Sequence, residues 1–388
     1  VHSSRRNFLV AGLGLPVSAS ASRFASPVPQ APAKRASDIQ FEYRVLGKTG
    51  LKVTSVAFGC MVTSDGSVVE RGADMGITYF DTAHSYQQGN NERMVGAALK
   101  GKRNNVTLSS KTHGLTKQDA LSDLDASLKS LQTDHLDIWY LHAKSKPEEV
   151  TDDLIDAQQT AKKAGKIRFA GVSTHAGQPE LVPWLAKNPN VDVILSAYNF
   201  TLEPAVTAAL EQAAAAGKGV AVIKVMAGGF TRLKPDDPAY AKLKRDGALL
   251  AALKWAMRNP KVVHTAVPSI TDTDQLEEDL TAMRKPYGPA EAKLLAERLE
   301  LIRPLYCRTC GRCDGQCRQG LPVADMLRIL TYADGYGQFA LGRERFLELA
   351  PQNTSVKCAD CPGCTVQCPH GVKVVERLRK AQELFAAV

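Results

Sequence analysis

Eight of the nine cysteines in this 388-residue chain fall between positions 307 and 368, in two runs of one pattern. Cys307-x2-Cys310-x2-Cys313-x3-Cys317 leads into Gly320-Leu321-x-Val323, and Cys358-x2-Cys361-x2-Cys364-x3-Cys368 into Gly371-Val372-x-Val374. Gln316 and Gln367 hold equivalent places, so the segment is an internal repeat. This spacing wraps three thiolates around one iron–sulfur cube while the fourth reaches another. A second reactive set is spread over the first half of the chain: Asp81, Tyr86, Lys111 and His142, each at or just beyond the end of a β-rich run. An acid, a phenol, an amine and an imidazole over one pocket can move a proton. A buried Lys111 needs a charged partner, which Asp81 supplies. Together these two are expected to draw the Tyr86 phenol down from its ordinary value of about 10.

The cysteine spacing assigns Cys307, Cys310, Cys313 and Cys368 to one [4Fe–4S] cluster and Cys358, Cys361, Cys364 and Cys317 to a second. Structural zinc also accepts four cysteines, usually as paired C-x2-C units with a longer gap. Disulfides suit an exported chain, although three cysteines at steps of three pair awkwardly. Pro369 follows the second run, whereas the first has Arg318 there and Pro322 further on. Arg308, Arg312, Arg318 and Lys357 are placed to offset cluster charge. Helical patterns at 324–333 and 343–349 make the region resemble an α-helical ferredoxin module. Cys60, standing alone, reads as a buried core thiol.

The elements that must position the first set recur regularly. Apolar β-rich runs at 53–60, 77–83, 105–111, 136–142, 167–174, 191–199, 219–225 and 263–269 start 24 to 44 residues apart. Helical patterns separate them, such as 118–131 with Leu121, Leu124, Leu128 and Leu131 on one face. Runs without strict alternation suit a parallel sheet buried on both faces. Eight such units in this length fit a (β/α)8 TIM barrel, which carries its site at the C-terminal strand ends. An open doubly wound sheet would show G-x-G-x-x-G after its first strand, and none is present. The expected class is thus α/β: a barrel over 42–303, then a small, mainly α-helical ferredoxin-like domain over 304–388. His84, His113 and His175 allow a metal site at the barrel mouth, and lining of the substrate pocket is the preferred reading.

Asp81-Thr82-Ala83-x-x-Tyr86-x-x-Gly89-x-x-Glu92, Ser110-Lys111 and Tyr140-Leu141-His142 resemble the aldo-keto reductase family. The resemblance runs on through Gly171-Val172-Ser173, Tyr198-Asn199 and Val267-Pro268. It implies a catalytic tetrad of Asp81, Tyr86, Lys111 and His142. In that tetrad Tyr86 protonates a carbonyl oxygen as a nicotinamide gives hydride, and His142 orients the carbonyl. It also implies an NADP or NAD site, with Ser173, Asn199, Lys224, Ser269, Gln275 and Glu278 as candidates. This chain departs from the family at Thr174, Leu195 and Lys224, the last where an aromatic stacks on nicotinamide. Lys and Arg that read a 2′-phosphate are replaced by Ser269 and Gln275. The 224–229 segment is similar to the family's iron–sulfur branch.

The composition, 44% hydrophobic and 23% charged, is that of a globular protein and excludes disordered or fibrous classes. The net charge of +9 is concentrated at the start, where residues 1–37 hold five basic residues and no acid. The other 44 basic residues against 40 acidic ones leave +4, with no basic-aromatic block, so nucleic acid is not an expected partner. No apolar run reaches membrane-span length. Arg5-Arg6-Asn7-Phe8-Leu9, an apolar stretch and Ala19-Ser20-Ala21 read as a twin-arginine signal peptide over 1–21, with a Pro/Ala/Ser linker over 22–41. Periplasmic or secreted localisation follows, because this route exports folded proteins. The combined expectation is an exported oxidoreductase interconverting a carbonyl and an alcohol. Its two clusters would trade electrons with a redox partner protein or a quinone-linked acceptor. The alternatives are an NAD(P)H-dependent carbonyl reductase with purely structural clusters, and a non-catalytic electron-transfer or binding protein on a barrel scaffold.

Overall fold

Residues 43–54 form a hairpin before the barrel begins. In the computed structural model, which describes residues 40–230 and 247–386, β1 (Tyr43–Val45) pairs antiparallel with β2 (Lys52–Thr54). Lys48 N donates to Gly217 O at 2.9 Å, fixing the turn at the chain's entry to β9 (Gly219–Ile223). Leu46, Leu51 and Val53 plug the barrel interior against Tyr79, Ile138, Tyr140 and Val193. The first expected strand, 53–60, is therefore two pieces: Val53 belongs to the hairpin, and the barrel strand is only β3 (Phe58–Gly59). The expected leader, most of the linker and residues 231–246 lie outside the described residues.

The remaining strands follow the expected order: β4 (Tyr79–Asp81), β5 (Thr107–Thr112), β6 (Leu136–Leu141), β7 (Ile167–Thr174), β8 (Val193–Ala197), β9 and β10 (Thr265–Ala266). Each pairs in parallel with its neighbour in sequence. Val56 bridges Ala266 and Gly59 bridges Ser269, and Ala57 N donates to Ala266 O at 2.8 Å, so the last strand meets the first. The result is a (β/α)8 barrel.

Local sequence sets the surrounding helices. Thr116 caps the helix Lys117–Leu131 by accepting from Asp119 N, and Ala120, Leu124, Leu128 and Leu131 are buried against the strands, with Leu121 only partly covered. Burying one such leucine contributes about 1.5–3 kcal/mol. The helix Asp152–Lys163 stops before Gly165, whose φ of 71° needs no Cβ to be accommodated.

After the helix Pro289–Ile302 the described chain is helical or irregular. Helices Val323–Asp334, Phe339–Leu347, Pro351–Ser355 and Val374–Ala386 enclose their own apolar core of Met326, Leu330, Phe346, Leu378 and Phe385. The second pattern, read at 343–349, begins earlier because Phe339 packs on Phe385 at 5.8 Å between ring centroids. Barrel and C-terminal helices belong to one compact unit.

Candidate active site

A parallel barrel brings all its strand ends to one mouth. Asp81 closes β4 and pairs with Ser109 on β5, so Lys111, two residues on, shares its face. Lys111 Nζ donates to Asp81 Oδ2 at 2.6 Å and to Thr82 O at 2.5 Å, and Ser109 Oγ donates to Asp81 Oδ1 at 2.7 Å. Both charged side chains are buried, and these bonds satisfy what burial would otherwise leave exposed to a low dielectric. Tyr86 opens a tight turn, Tyr86–Gly89, in which Gln87 (φ 51°) and Gln88 (φ 54°) take the left-handed conformation. Gln87 Nε2 anchors that turn by donating to Thr63 O at 2.8 Å. Asn91 braces the same loop, accepting from Thr82 Oγ1 at 2.6 Å and donating to Cys60 O at 2.8 Å. The Tyr86 ring lies 4.9 Å from Lys111 Nζ and edge-on to His142 at 5.9 Å. The four expected residues are therefore together.

Their protonation differs from expectation at Tyr86. Burial, reinforced by the Asp81 charge, holds the phenol well above its ordinary value. Lys111 does not lower it, because its ammonium is committed to Asp81 and Thr82 and meets Tyr86 only across the ring face. Burial, then His113 and Lys111, keep His142 well below the ordinary histidine value, and its Nδ1 has no hydrogen-bond partner. His113 stacks on it at 4.1 Å and is brought down to about 4 by burial, Arg345 and Lys144. The mouth thus holds a protonated phenol beside neutral imidazoles.

Above them lies a cavity of about 500 Å³. Tyr86, His142, His113 and His175 form its barrel side; Arg328, Tyr332 and Arg345 of the C-terminal helices, with Thr309 of the first cysteine run, form its roof. Sequence reasoning missed this roof, whose residues carry no local motif. His84 is not part of it: its ring faces Glu92 (3.6 Å) and Asp123 (3.7 Å).

A smaller adjoining cavity, about 90 Å³, runs from Asp81 and Tyr86 past Lys224 to Ser269, Thr271 and Gln275, under Tyr336. Only three of the six expected cofactor residues line it: Lys224, Ser269 and Gln275. Ser173 is buried within β7 and accepts from Ala143 N at 2.9 Å. Asn199 is spent elsewhere, donating to Lys224 O at 3.0 Å and to Tyr306 Oη at 3.2 Å and accepting from Thr201 N at 3.1 Å. Glu278 is exposed, because its helix, Thr273–Leu280, turns Leu276, Asp279 and Leu280 inward. Gln275 clamps the loop before that helix, donating to Ser269 O at 2.8 Å and accepting from Thr271 N at 3.0 Å. Asp272 caps the helix and Asp274 sits in its first turn, so negative charge already occupies this end.

The model of the aldo/keto reductase family matches residues 66–300, more than half of the sequence. The chain belongs to the aldo/keto reductase family. It is 25% identical over 283 residues to an uncharacterized oxidoreductase of Bacillus subtilis, YqkF, covering 67% of this chain and 88% of that one. Against L-galactose dehydrogenase of Arabidopsis thaliana it is 27% identical over 286 residues, covering 63% and 88%. Among solved structures it resembles the holo form of aldo-keto reductase AKR11C1 from Bacillus halodurans. That likeness has a TM-score of 0.57 and 26% identity, and covers 68% of this chain and 96% of that one. The protein is an oxidoreductase of the aldo/keto reductase family, and its family match ends before the first cysteine run.

In that last region the eight cysteines are not joined by disulfides. Burial pushes the Cys307 thiol up to about 12, and the nearby Cys313, Cys310 and Cys368 add to the shift. Cys358 is raised by burial and by Cys317, Cys364 and Cys361. The neighbours of each are those of the crossed sets. A cavity of about 180 Å³ is lined by Cys317, Cys358, Cys361 and Cys364. Among the described residues, no three Cys, His, Asp or Glu close tightly enough for a single metal ion. The two runs are tied together, Thr365 Oγ1 donating to Gln316 O at 2.6 Å and Gln367 N to Gln316 Oε1 at 2.8 Å. Two of the expected charge-offsetting bases have other partners: Arg312 donates to Glu203 at 2.7 Å and Arg308 contacts His370 at 3.2 Å. Arg318 and Lys357 do line the 180 Å³ cavity. Cys60 is fully buried, its thiol raised by burial and by Asp81, as a core thiol should be.

Proposed function

We propose that this aldo/keto reductase is an exported enzyme interconverting a small carbonyl compound and its alcohol, with a nicotinamide cofactor and two [4Fe–4S] clusters that link it to a redox partner. The observation that carries the catalytic part is the convergence of Tyr86, the Lys111–Asp81 pair and neutral His142 beneath one cavity. In the reductive direction Tyr86 gives its proton to the carbonyl oxygen. Asp81 holds Lys111 in place beneath the Tyr86 ring. His142 donates a hydrogen bond to the same oxygen and orients the carbonyl. General acid catalysis of this kind contributes roughly 10²–10⁴-fold.

The groove beside Tyr86 fits a nicotinamide ring, with Lys224, Ser269 and Gln275 as holding residues. A bound nicotinamide supplies hydride to the carbonyl carbon. The carboxylates of Asp272 and Asp274, and the lack of Lys or Arg at positions 269 and 275, favour NAD over NADP.

In this reading the eight thiols hold two cubes. The grouping of Cys307 with Cys310, Cys313 and Cys368, and of Cys358 with Cys317, Cys361 and Cys364, supports the crossed assignment. Bound clusters supply single electrons. A leader with paired arginines is consistent with such cofactors, since it serves proteins that fold before export.

An anaerobic optical spectrum of the purified protein, before and after NADH or NADPH, tests this reading. Brown absorbance that bleaches on adding nicotinamide is the expected result. Colourless protein would overturn the clusters, and absorbance bleached only by a stronger reductant would leave them structural.

A further inference from the structure

We infer that the 500 Å³ cavity recognises its substrate by an anionic group, a carboxylate or a phosphate, held between Lys224 of the barrel and Arg328 of the C-terminal helices. The substrate class is then an anionic carbonyl compound or the corresponding hydroxy acid or phosphate. This rests on reading the Tyr86 site as one for carbonyl and alcohol chemistry.

Lys224 follows β9 with φ of 56°, a conformation that residues other than glycine rarely adopt. The Asn199 side chain donates to its carbonyl and holds it there. Nζ then sits 3.8 Å from Met61 Sδ and over the rings of Tyr332 (5.2 Å) and Tyr336 (5.4 Å). Among the described residues no carboxylate pairs with it. A half-buried cation with aromatic rings and a thioether around it, and no counter-charge, is open to an anion.

Arg328 reaches the same phenol from the opposite wall. Its Cζ is 5.9 Å from the Tyr332 centroid and its guanidinium donates to Tyr332 Oη at 3.1 Å. The other arm of Arg328 donates to Asp325 at 2.9 Å, and Arg345 donates to Glu348 at 2.7 Å. Both acids line the cavity, but each is taken by an arginine three residues away. Asp314, the third carboxylate, is exposed at the cavity's edge.

The surplus positive field is visible in its neighbours. Burial alone would raise Tyr332, yet Lys224, Arg328 and Arg345 bring it down to about 8. His175 is pushed well below its ordinary value by burial, Lys224 and Arg328. An oxyanion between Lys224 and Arg328 would complete the charge balance, and guanidinium offers it paired donors. The carbonyl end of the same molecule would then face Tyr86 and His142 in the shared cavity.

The test uses the full-length, cofactor-loaded enzyme at saturating NADH. Benzaldehyde, 4-carboxybenzaldehyde and 4-formylphenyl phosphate are compared by calorimetric binding and by turnover. The expected result is tighter binding of one or both charged probes by at least tenfold, the tighter one identifying carboxylate or phosphate. Arg328→Met should weaken the charged probes by roughly 10–100-fold while leaving benzaldehyde within about threefold, and Arg328→Lys, which keeps the charge, should restore most of that binding. Arg328→Lys guards against a roof loosened by loss of the arginine. Equal affinity for all three probes, no measurable binding of either charged probe, or variants that weaken all alike would overturn the proposal. The same binding pattern without turnover would overturn the carbonyl reading and leave the anion site standing.

Discussion

Thr309, two residues after Cys307, donates its hydroxyl hydrogen to the backbone carbonyl of His175 at 2.7 Å. This bond fastens the first cysteine loop to the end of β7, where His175 lines the cavity over Tyr86. The cysteine region is therefore part of the wall of the cavity over Tyr86. The second set, around Cys358 and Cys361, lines a different cavity bordered by Arg318 and Lys357.

With the proposed clusters, removing one cysteine from each set should separate the two roles. Cys310→Ser and Cys361→Ser are each expected to halve the iron bound per chain. Only Cys310→Ser, which frees the Thr309 loop, should also raise KM for the carbonyl substrate, by about three- to tenfold for one lost wall contact. Iron assay and steady-state kinetics on both variants check this. Equal KM in the two would mean that the loop holds its position without the proposed cluster.

Tyr86→Phe removes the proton donor and leaves the ring in place. Activity is expected to fall roughly 10²–10⁴-fold with substrate KM little changed. Because the folded phenol stays well above its ordinary value, the reductive rate should show no alkaline fall from Tyr86 below about pH 10. Activity close to wild type in the variant would remove Tyr86 from the chemistry.

Lys111→Met strands the buried Asp81 carboxylate with only Ser109 as a side-chain donor. Breaking one side of such a pair costs about 3–5 kcal/mol, so the single variant should unfold at markedly lower denaturant concentration. Adding Asp81→Asn should restore most of that stability and none of the activity. The double-mutant cycle separates the pair's structural coupling from its role beside Tyr86.

The strand order and the four residues at the mouth were readable because each sits in a local motif, as Asp81 and Tyr86 do in Asp-Thr-Ala-x-x-Tyr. Parallel strands of fixed register then carry such residues to one place without further instruction. Tyr332, Arg328 and Thr309 were not readable, since they reach the cavity only through packing of helices far along the chain. Ser173 and Asn199 lie in family-like segments, but they serve the backbone of Ala143 and Lys224 rather than the groove. The run 53–60 reads as one strand because only Thr54 and Ser55, with no proline or glycine, separate Val53 from Val56-Ala57-Phe58. Nothing in that run marks where the hairpin plug ends and the barrel begins.

Asp279 offers a test of stability alone. It is buried on the helix Thr273–Leu280, its Oδ2 lacks a hydrogen-bond partner, and burial followed by Glu278 and Asp272 holds its carboxyl well above the ordinary value. With the folded value raised, the folded chain keeps a proton that the unfolded chain releases at about pH 4. Stability from this residue is therefore full below that pH and is lost as pH rises toward the folded value. Asp279→Asn, which keeps the shape and cannot ionise, should gain about 1–3 kcal/mol at pH 7. The gain should shrink toward zero near pH 4. Urea melts of both proteins at pH 4, 5.5 and 7 measure it, and a gain independent of pH would show that ionisation is not its source.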